Sequence, residues 1–227
     1  MTTLLHMDAS VRGERSLTRR LTRDFVEHFL AEAPGTRVLR RDLAATPPPF
    51  VDQDWITSSF TDPADRTPDM VRSLAASDEL LNELEVADLL VLGTPMYNYG
   101  MPARLKAWVD QVIRVGRTFT FDLARGDYPL KPVLAGKKLV LLTSSGEFGF
   151  GPGEERSGMN HFDTHLAVLE GYLGIAERYH VAVEYQEFGD NRHAASVAEA
   201  TRAVPLLARL AASFSPPRSG DADHKRP

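Results

Sequence analysis

The sequence predicts an α/β fold: a doubly wound, mostly parallel sheet of five strands with helices on both faces. Two observations carry that expectation. Short apolar runs alternate along the chain with segments whose apolar residues recur every three to four positions, which is the pattern of strand–helix–strand units joined by right-handed crossovers. The 227 residues, 43% of them hydrophobic, suffice for one full core, and no internal repeat or linker argues for a second. A single domain over residues 1–214 is therefore expected.

The elements follow in order. Residues 4–7 form a short apolar strand that ends in "DASVRGERS", and Leu17, Leu21, Phe25, Val26 and Phe29 then mark one face of a helix stopped by Pro34 and Gly35. Residues 38–43 read as a second strand, weakened by Arg40, Arg41 and Asp42. The stretch 45–66, "ATPPPFVDQDWITSSFTDPADR", lacks periodicity and reads as a long loop. Residues 69–84 give an amphipathic helix, 88–93 a central strand and 103–115 another helix. A fourth strand spans 138–143, followed by the Gly-rich "SSGEFGFGPGEERSG", a helix that includes 166–173, a fifth strand near 179–183 and a last helix over 194–213. The tail 215–227 is poor in apolar residues and is expected to be disordered.

Composition narrows the function. With 26 Lys and Arg against 31 Asp and Glu, the net charge of -5 leaves no footprint for nucleic acid or anionic lipid. The absence of Cys removes thiolate nucleophiles and cysteine-based metal sites, so redox chemistry would need a cofactor. The apolar start is too short for a signal peptide and no run approaches the ~20 residues of a membrane helix, which leads to the expectation of a cytoplasmic protein acting on small molecules.

In an open sheet of this kind a ligand sits beyond the carboxyl ends of the strands, where strand order reverses. The loops after the first, third and fourth strands are the least ordinary stretches of the chain. The first places Ser10 at a strand end and Ser16 and Thr18 at a helix start, with Arg12 and Arg15 between; hydroxyls beside free helix amides suit a phosphate monoester, although Ser16 equally suits a simple helix cap. Only Gly13 is present, so neither the triphosphate loop nor the G-x-G-x-x-G turn is formed. The second, "TPMYNYGMP", is a rigid turn whose Met96, Tyr97, Asn98 and Tyr99 either wall a planar ring or pack beneath a neighbouring loop. The third offers Ser144, Ser145 and Gly146 for close backbone approach, or serves as a plain lid. His161 and His165 share a helix face without the glutamate of a zinc helix, and are read as a surface pair.

Taken together, Ser10 with "SLT" at 16–18, "PMYNYGMPARLKAWVD" at 95–110, "GRTFTF" at 116–121 and "TSSG" at 143–146 resemble the FMN-dependent NADH:quinone reductase and azoreductase family, in the same order over nearly the whole chain. The resemblance implies a flavodoxin-like fold, a homodimer with the active site near the subunit interface, and one FMN per subunit reduced by NADH or NADPH. It implies that Ser10, Ser16, Thr18 and the backbone of Leu17 hold the phosphate. Pro95, Met96, Tyr97, Asn98 and Tyr99 would line the isoalloxazine, with Ser144, Ser145, Gly146 and Glu147 at its pyrimidine side. Phe119, Phe121, Phe148, Phe150 and Phe162 are the candidates for a hydrophobic substrate slot, each with ordinary core as its alternative. Phe121 stands where the family often has tyrosine. Glu147 stands where some members continue with glycine after an arginine, so a lowered flavin potential is expected here. No catalytic residue is assigned, because the chemistry the resemblance implies, hydride passing from nicotinamide to flavin N5 and on to a quinone, azo or nitroaromatic acceptor in a ping-pong cycle, needs no protein acid or base in the hydride steps. A flavin-binding electron carrier or regulatory module is the alternative, disfavoured by the mild charge and long loops. A phosphoacceptor receiver domain wants aspartate where Thr94 stands.

Overall fold

The structure, a computed structural model, describes residues 1–213; the tail expectation lies outside them. β1 (Thr3–Asp8), β2 (Arg37–Asp42), β3 (Leu89–Pro95), β6 (Lys137–Ser144) and β7 (Ile175–Val183) form one parallel sheet in the order β2-β1-β3-β6-β7. Order reverses between β1 and β3, and all carboxyl ends meet at one edge.

Strand alternation divides the core. Leu90 and Leu92 of β3 and Leu139 and Leu141 of β6 point to one face, where α3 (Pro68–Val86), α4 (Ala103–Val112) and α5 (His161–Leu173) cover them with Leu81, Leu84, Trp108 and Phe162. The intervening Leu89, Val91, Val140 and Leu142 point to the other face, covered by Phe25 and Phe29 of α1 (Leu17–Glu32) and Val204 and Ala208 of α6 (Asn191–Ala212). Both faces are dry, which is why β3 and β6 read as continuous apolar runs.

Three features depart from the sequence reading. The stretch 45–66 holds a helix, α2 (Gln53–Phe60), capped by Asp52 accepting from the Trp55 amide at 2.8 Å. Its buried side chains are Trp55, Ser58 and Ser59, and the two serines return hydrogen bonds to the Asp54 and Ile56 carbonyls, so apolar periodicity could not reveal it. A short antiparallel hairpin, β4 (Phe119–Phe121) with β5 (Leu130–Pro132), stands apart from the main sheet. β7 begins at Ile175 rather than near 179, because as an edge strand it exposes Ala176, Glu177 and Arg178 and shows no apolar run there. Among the described residues no helix is long and apolar enough to cross a membrane.

Candidate functional site

At the β1 carboxyl end the chain turns at Ser10, passes Arg12 and enters α1 at Ser16. The Ser16 hydroxyl accepts from the Arg19 amide at 3.3 Å and lies 3.1 Å from the Thr18 hydroxyl. Ser16 thus does cap the helix. The N–H groups of Leu17 and Thr18 have no acceptor among the described residues, and they point out of the helix start beside the Ser10 and Ser16 hydroxyls. Thr18 is fully buried, whereas Ser10, Arg12, Ser16 and Leu17 line a cavity of about 350 Å³.

A residue outside the sequence expectation fixes this turn. Arg19 donates from Nε and Nη2 to the Ser10 carbonyl at 3.0 and 2.9 Å, and from Nη1 and Nη2 to both Asp42 carboxylate oxygens at 2.7 and 2.6 Å. That fork holds the Asp42 carboxyl at about 2, below its ordinary value. Beneath it, Gly93 of β3 admits α1: a β-carbon there would stand 2.6 Å from Thr22 Cγ2 and 2.9 Å from Asp8 Oδ1. Thr22 is held in place there, its hydroxyl lying 3.0 Å from both the Asp8 carboxylate and the Arg19 carbonyl, which share its proton.

The second wall begins where β3 ends at Pro95. The Met96 amide donates to the Ser144 carbonyl at 2.8 Å, and Tyr97 and Gly100 exchange backbone hydrogen bonds of 3.1 and 2.9 Å around a two-residue turn. Asn98 and Tyr99 occupy its centre with φ of 47° and 64°, the left-handed pair of a type I′ turn. Asparagine tolerates that region; tyrosine does so at a cost. Tyr99 is held from two sides: its carbonyl accepts from the His161 amide at 3.0 Å, and its hydroxyl donates to Glu147 at 3.1 Å. The hydrogen bond to Glu147 raises the Tyr99 phenol above its usual value.

The third wall is the loop after β6. The carbonyls of Ser145, Gly146 and Glu147 accept from the amides of Gln186, Glu187 and Tyr185 beyond β7 at 3.2, 3.1 and 3.2 Å, and the Ser145 hydroxyl donates to the Glu147 carbonyl at 2.9 Å. Glu187 lies across Gly146, where a β-carbon would be 2.6 Å from its carboxyl carbon. Two further hollows adjoin the first: one of about 280 Å³ beside Asn98, Tyr99 and Glu147, and one of about 270 Å³ reaching Ser145, Phe150, Phe162 and His180. Met96 borders all three hollows, and Ser144, Ser145, Gly146, Phe150 and Glu187 are each shared by two of them, so the three lie side by side as the parts of one cleft region.

The structure brings together Ser10, Ser16, Leu17, Pro95, Met96, Tyr97, Asn98, Tyr99, Ser144, Ser145, Gly146 and Glu147 around this cleft. Of the phenylalanines, Phe150 and Phe162 line it. Phe148 instead stacks on Tyr185 at 4.5 Å and lies under Arg156. Phe119 packs edge-on against Tyr172, and Phe121 is exposed on the β4–β5 hairpin. His161 is exposed and His165 half-buried on α5. Sequence reasoning passed over Arg19, Gln186 and Glu187; the last two follow the fifth strand at the same carboxyl edge, a position that itself was the available signal. The arrangement suits an anion at the α1 start and a flat, largely apolar ring along the Met96–Tyr99 turn.

A family model described as having a flavodoxin-like fold matches residues 2–205. A protein of Idiomarina loihiensis named FMN-dependent NADH:quinone oxidoreductase 2 is 47% identical over 215 residues, 92% of this chain and 90% of its own length. One of Pseudomonas aeruginosa named FMN-dependent NAD(P)H:quinone oxidoreductase 1 is 42% identical over 212 residues, 93% of this chain and all of its own. Among solved structures, a Bacillus anthracis azoreductase superposes with a TM-score of 0.80 at 23% identity, covering 92% of this chain and 100% of its own. A Bacillus anthracis FMN-dependent NADH-azoreductase in complex with FMN superposes with a TM-score of 0.81 at 16% identity, covering 93% and 100%. Both superpositions speak to the fold.

Proposed function

This chain belongs to the family with the flavodoxin-like fold, and from that premise we propose that it is an FMN-dependent NAD(P)H:quinone oxidoreductase that also accepts azo and nitroaromatic compounds. One observation carries the reading: two helix-start amides without acceptors among the described residues sit beside the Ser10 and Ser16 hydroxyls, at one end of a cleft walled by Met96 and Tyr97. The names borne by relatives at 47% and 42% identity agree with it.

Ser10, Ser16 and the amides of Leu17 and Thr18 would take the FMN phosphate, with Arg12 adding charge. The 95–99 turn and the backbone of 144–147 would border the ring. FMN bound there would supply hydride transfer through N5, from NADH or NADPH to the acceptor, in a ping-pong cycle. The chain's own part is positioning and exclusion of water by Phe150 and Phe162, which are buried at 7% and 2% exposure. A homodimer is part of the proposal: the β4–β5 hairpin segment leaves Phe121, Leu123, Tyr128 and Leu130 exposed, apolar side chains suited to cover by a second copy. A cytoplasmic setting, where reduced nicotinamide is made, completes it.

The test is optical. The purified protein supplemented with FMN should be yellow, bleach anaerobically with NADH or NADPH, and recover with a quinone. A bound flavin that neither nucleotide bleaches points to an electron carrier instead, and failure to retain FMN ends the reading.

A further inference from the structure

Charge is unevenly shared along the cleft. Arg12 borders the hollow at the α1 start, whose far side is reached by Glu187. The other two hollows are bordered by Glu147, Glu187, Glu154, Asp163, Glu184 and Glu199, and among the described residues by no Lys or Arg. Several of these carboxylates have local duties. Glu154 and Glu184 accept from the Gly151 and Phe150 amides at 2.9 and 3.4 Å, and Asp163 faces Arg178 at 3.6 Å. Arg156 lies over the Phe148 ring at 4.3 Å and borders neither hollow, although its charge reaches Tyr99. Glu147 and Glu187 differ, since both border the hollow beside Tyr99 and neither has a cationic partner among the described residues. Glu147 is aimed by the Tyr99 hydroxyl at 3.1 Å, and Glu187 is seated by the missing side chain of Gly146. Glu147 is half-buried and Glu187 exposed, so the two negative charges stand at the solvent-reached rim of a concave hollow, where they act on a ligand as salt-screened charges at short range.

We propose that Glu147 and Glu187 make the open end of the cleft select uncharged or cationic flat acceptors and reject anionic ones, such as sulfonated quinones and azo dyes. The proposal rests on the redox reading above and adds the charge class of the acceptor. Each carboxylate disfavours an anionic ligand severalfold at contact-to-8 Å range, giving discrimination on the order of tenfold at low salt. Because the effect is electrostatic, it should fade with ionic strength as the screening length falls from about 30 Å at 0.01 M to about 3 Å at 1 M.

The experiment uses the FMN-loaded protein, photoreduced without nicotinamide, mixed anaerobically with a neutral naphthoquinone or its monosulfonate, each rate divided by that for free reduced FMN. The sulfonate should be on the order of tenfold slower in low salt, and the gap should close in high salt. In Glu147→Gln/Glu187→Gln the gap and its salt dependence should shrink together. Calorimetric titration of the oxidised protein with the same two compounds should rank their affinities the same way, independently of turnover. Equal normalised rates, a gap indifferent to salt, or a gap unchanged in the double variant would overturn the proposal while leaving the redox reading intact. Failure of the neutral quinone to reoxidise the flavin would remove that reading and the proposal with it.

Discussion

The two ends of the cleft are built on opposite plans. At the α1 start the side chains around two free amides are buried and cross-linked: Ser16 caps the helix, Thr18 bonds Ser16, and Arg19 clamps the Ser10 carbonyl to Asp42. At the other end the wall is made of glycines, the left-handed residues Asn98, Tyr99 and Tyr185 and an aromatic stack, with Tyr99 and Phe188 exposed at 38% and 44%. Such a division makes sense if one end must fit an invariant group and the other must admit varied molecules. Rigid, satisfied networks enforce a single geometry; loops held by a few contacts can yield. Substitutions at the first end should therefore change stability and phosphate-dependent affinity most, while those at the second should cost less stability and act on the hold on the ring, its potential and acceptor preference.

The largest effect is expected at Gly93. Its β-carbon site is filled by Thr22 and Asp8, both held by hydrogen bonds, so Gly93→Ala should cost about 2–3 kcal/mol by overpacking and displace the α1 start. Urea denaturation and FMN titration check both halves. A variant as stable as the parent would mean that α1 can shift freely, contrary to the rigid plan.

Arg19→Met comes next. It removes a bidentate pair and the hold on the Ser10 carbonyl, with a loss of about 1–2 kcal/mol after allowance for the solvent reaching the partly exposed Asp42. The sign with pH is set by Asp42. Its carboxyl is held at about 2, below the ordinary 3.8, so its contribution is present above pH 4 and is lost as pH falls toward 2. The variant should lack that component of acid destabilisation in a pH series of melting temperatures.

Much of this plan was legible in the sequence and some of it was not. The five sheet strands and five of the six helices follow from periodicity because both faces of the sheet are covered by apolar helix stripes. α2 was hidden because serines, bonded back to their own backbone, take the buried positions that apolar residues would mark. The β4–β5 hairpin was hidden because three-residue strands carry too little pattern. The three loops of the cleft announced themselves by composition. Their cross-links did not: that Arg19 grips Ser10, that Tyr99 reaches Glu147 and that Glu187 covers Gly146 are contacts between distant segments, for which local sequence holds no signal.

At the open end the effects should be smaller and of another kind. Asn98→Ala places a residue without asparagine's tolerance of the left-handed region at φ 47°, costing about 1 kcal/mol, and should weaken FMN binding roughly tenfold while the fold persists. Far-ultraviolet dichroism alongside FMN titration separates the two. Glu147→Gly should leave the melting temperature nearly unchanged and raise the flavin midpoint potential by roughly 30 mV, since one negative charge leaves the ring's surroundings. A redox titration that finds no change would detach Glu147 from the flavin's electrostatics.

The central claim, that the α1 start is a phosphate cradle, is tested most directly by titrating the flavin-free protein with FMN and with riboflavin, which share the ring and differ in the phosphate. The account predicts that FMN binds at least about a hundredfold more tightly, a difference of about 2.7 kcal/mol carried by amides and hydroxyls that riboflavin leaves unpaired. Equal affinities, or binding of neither, would contradict it.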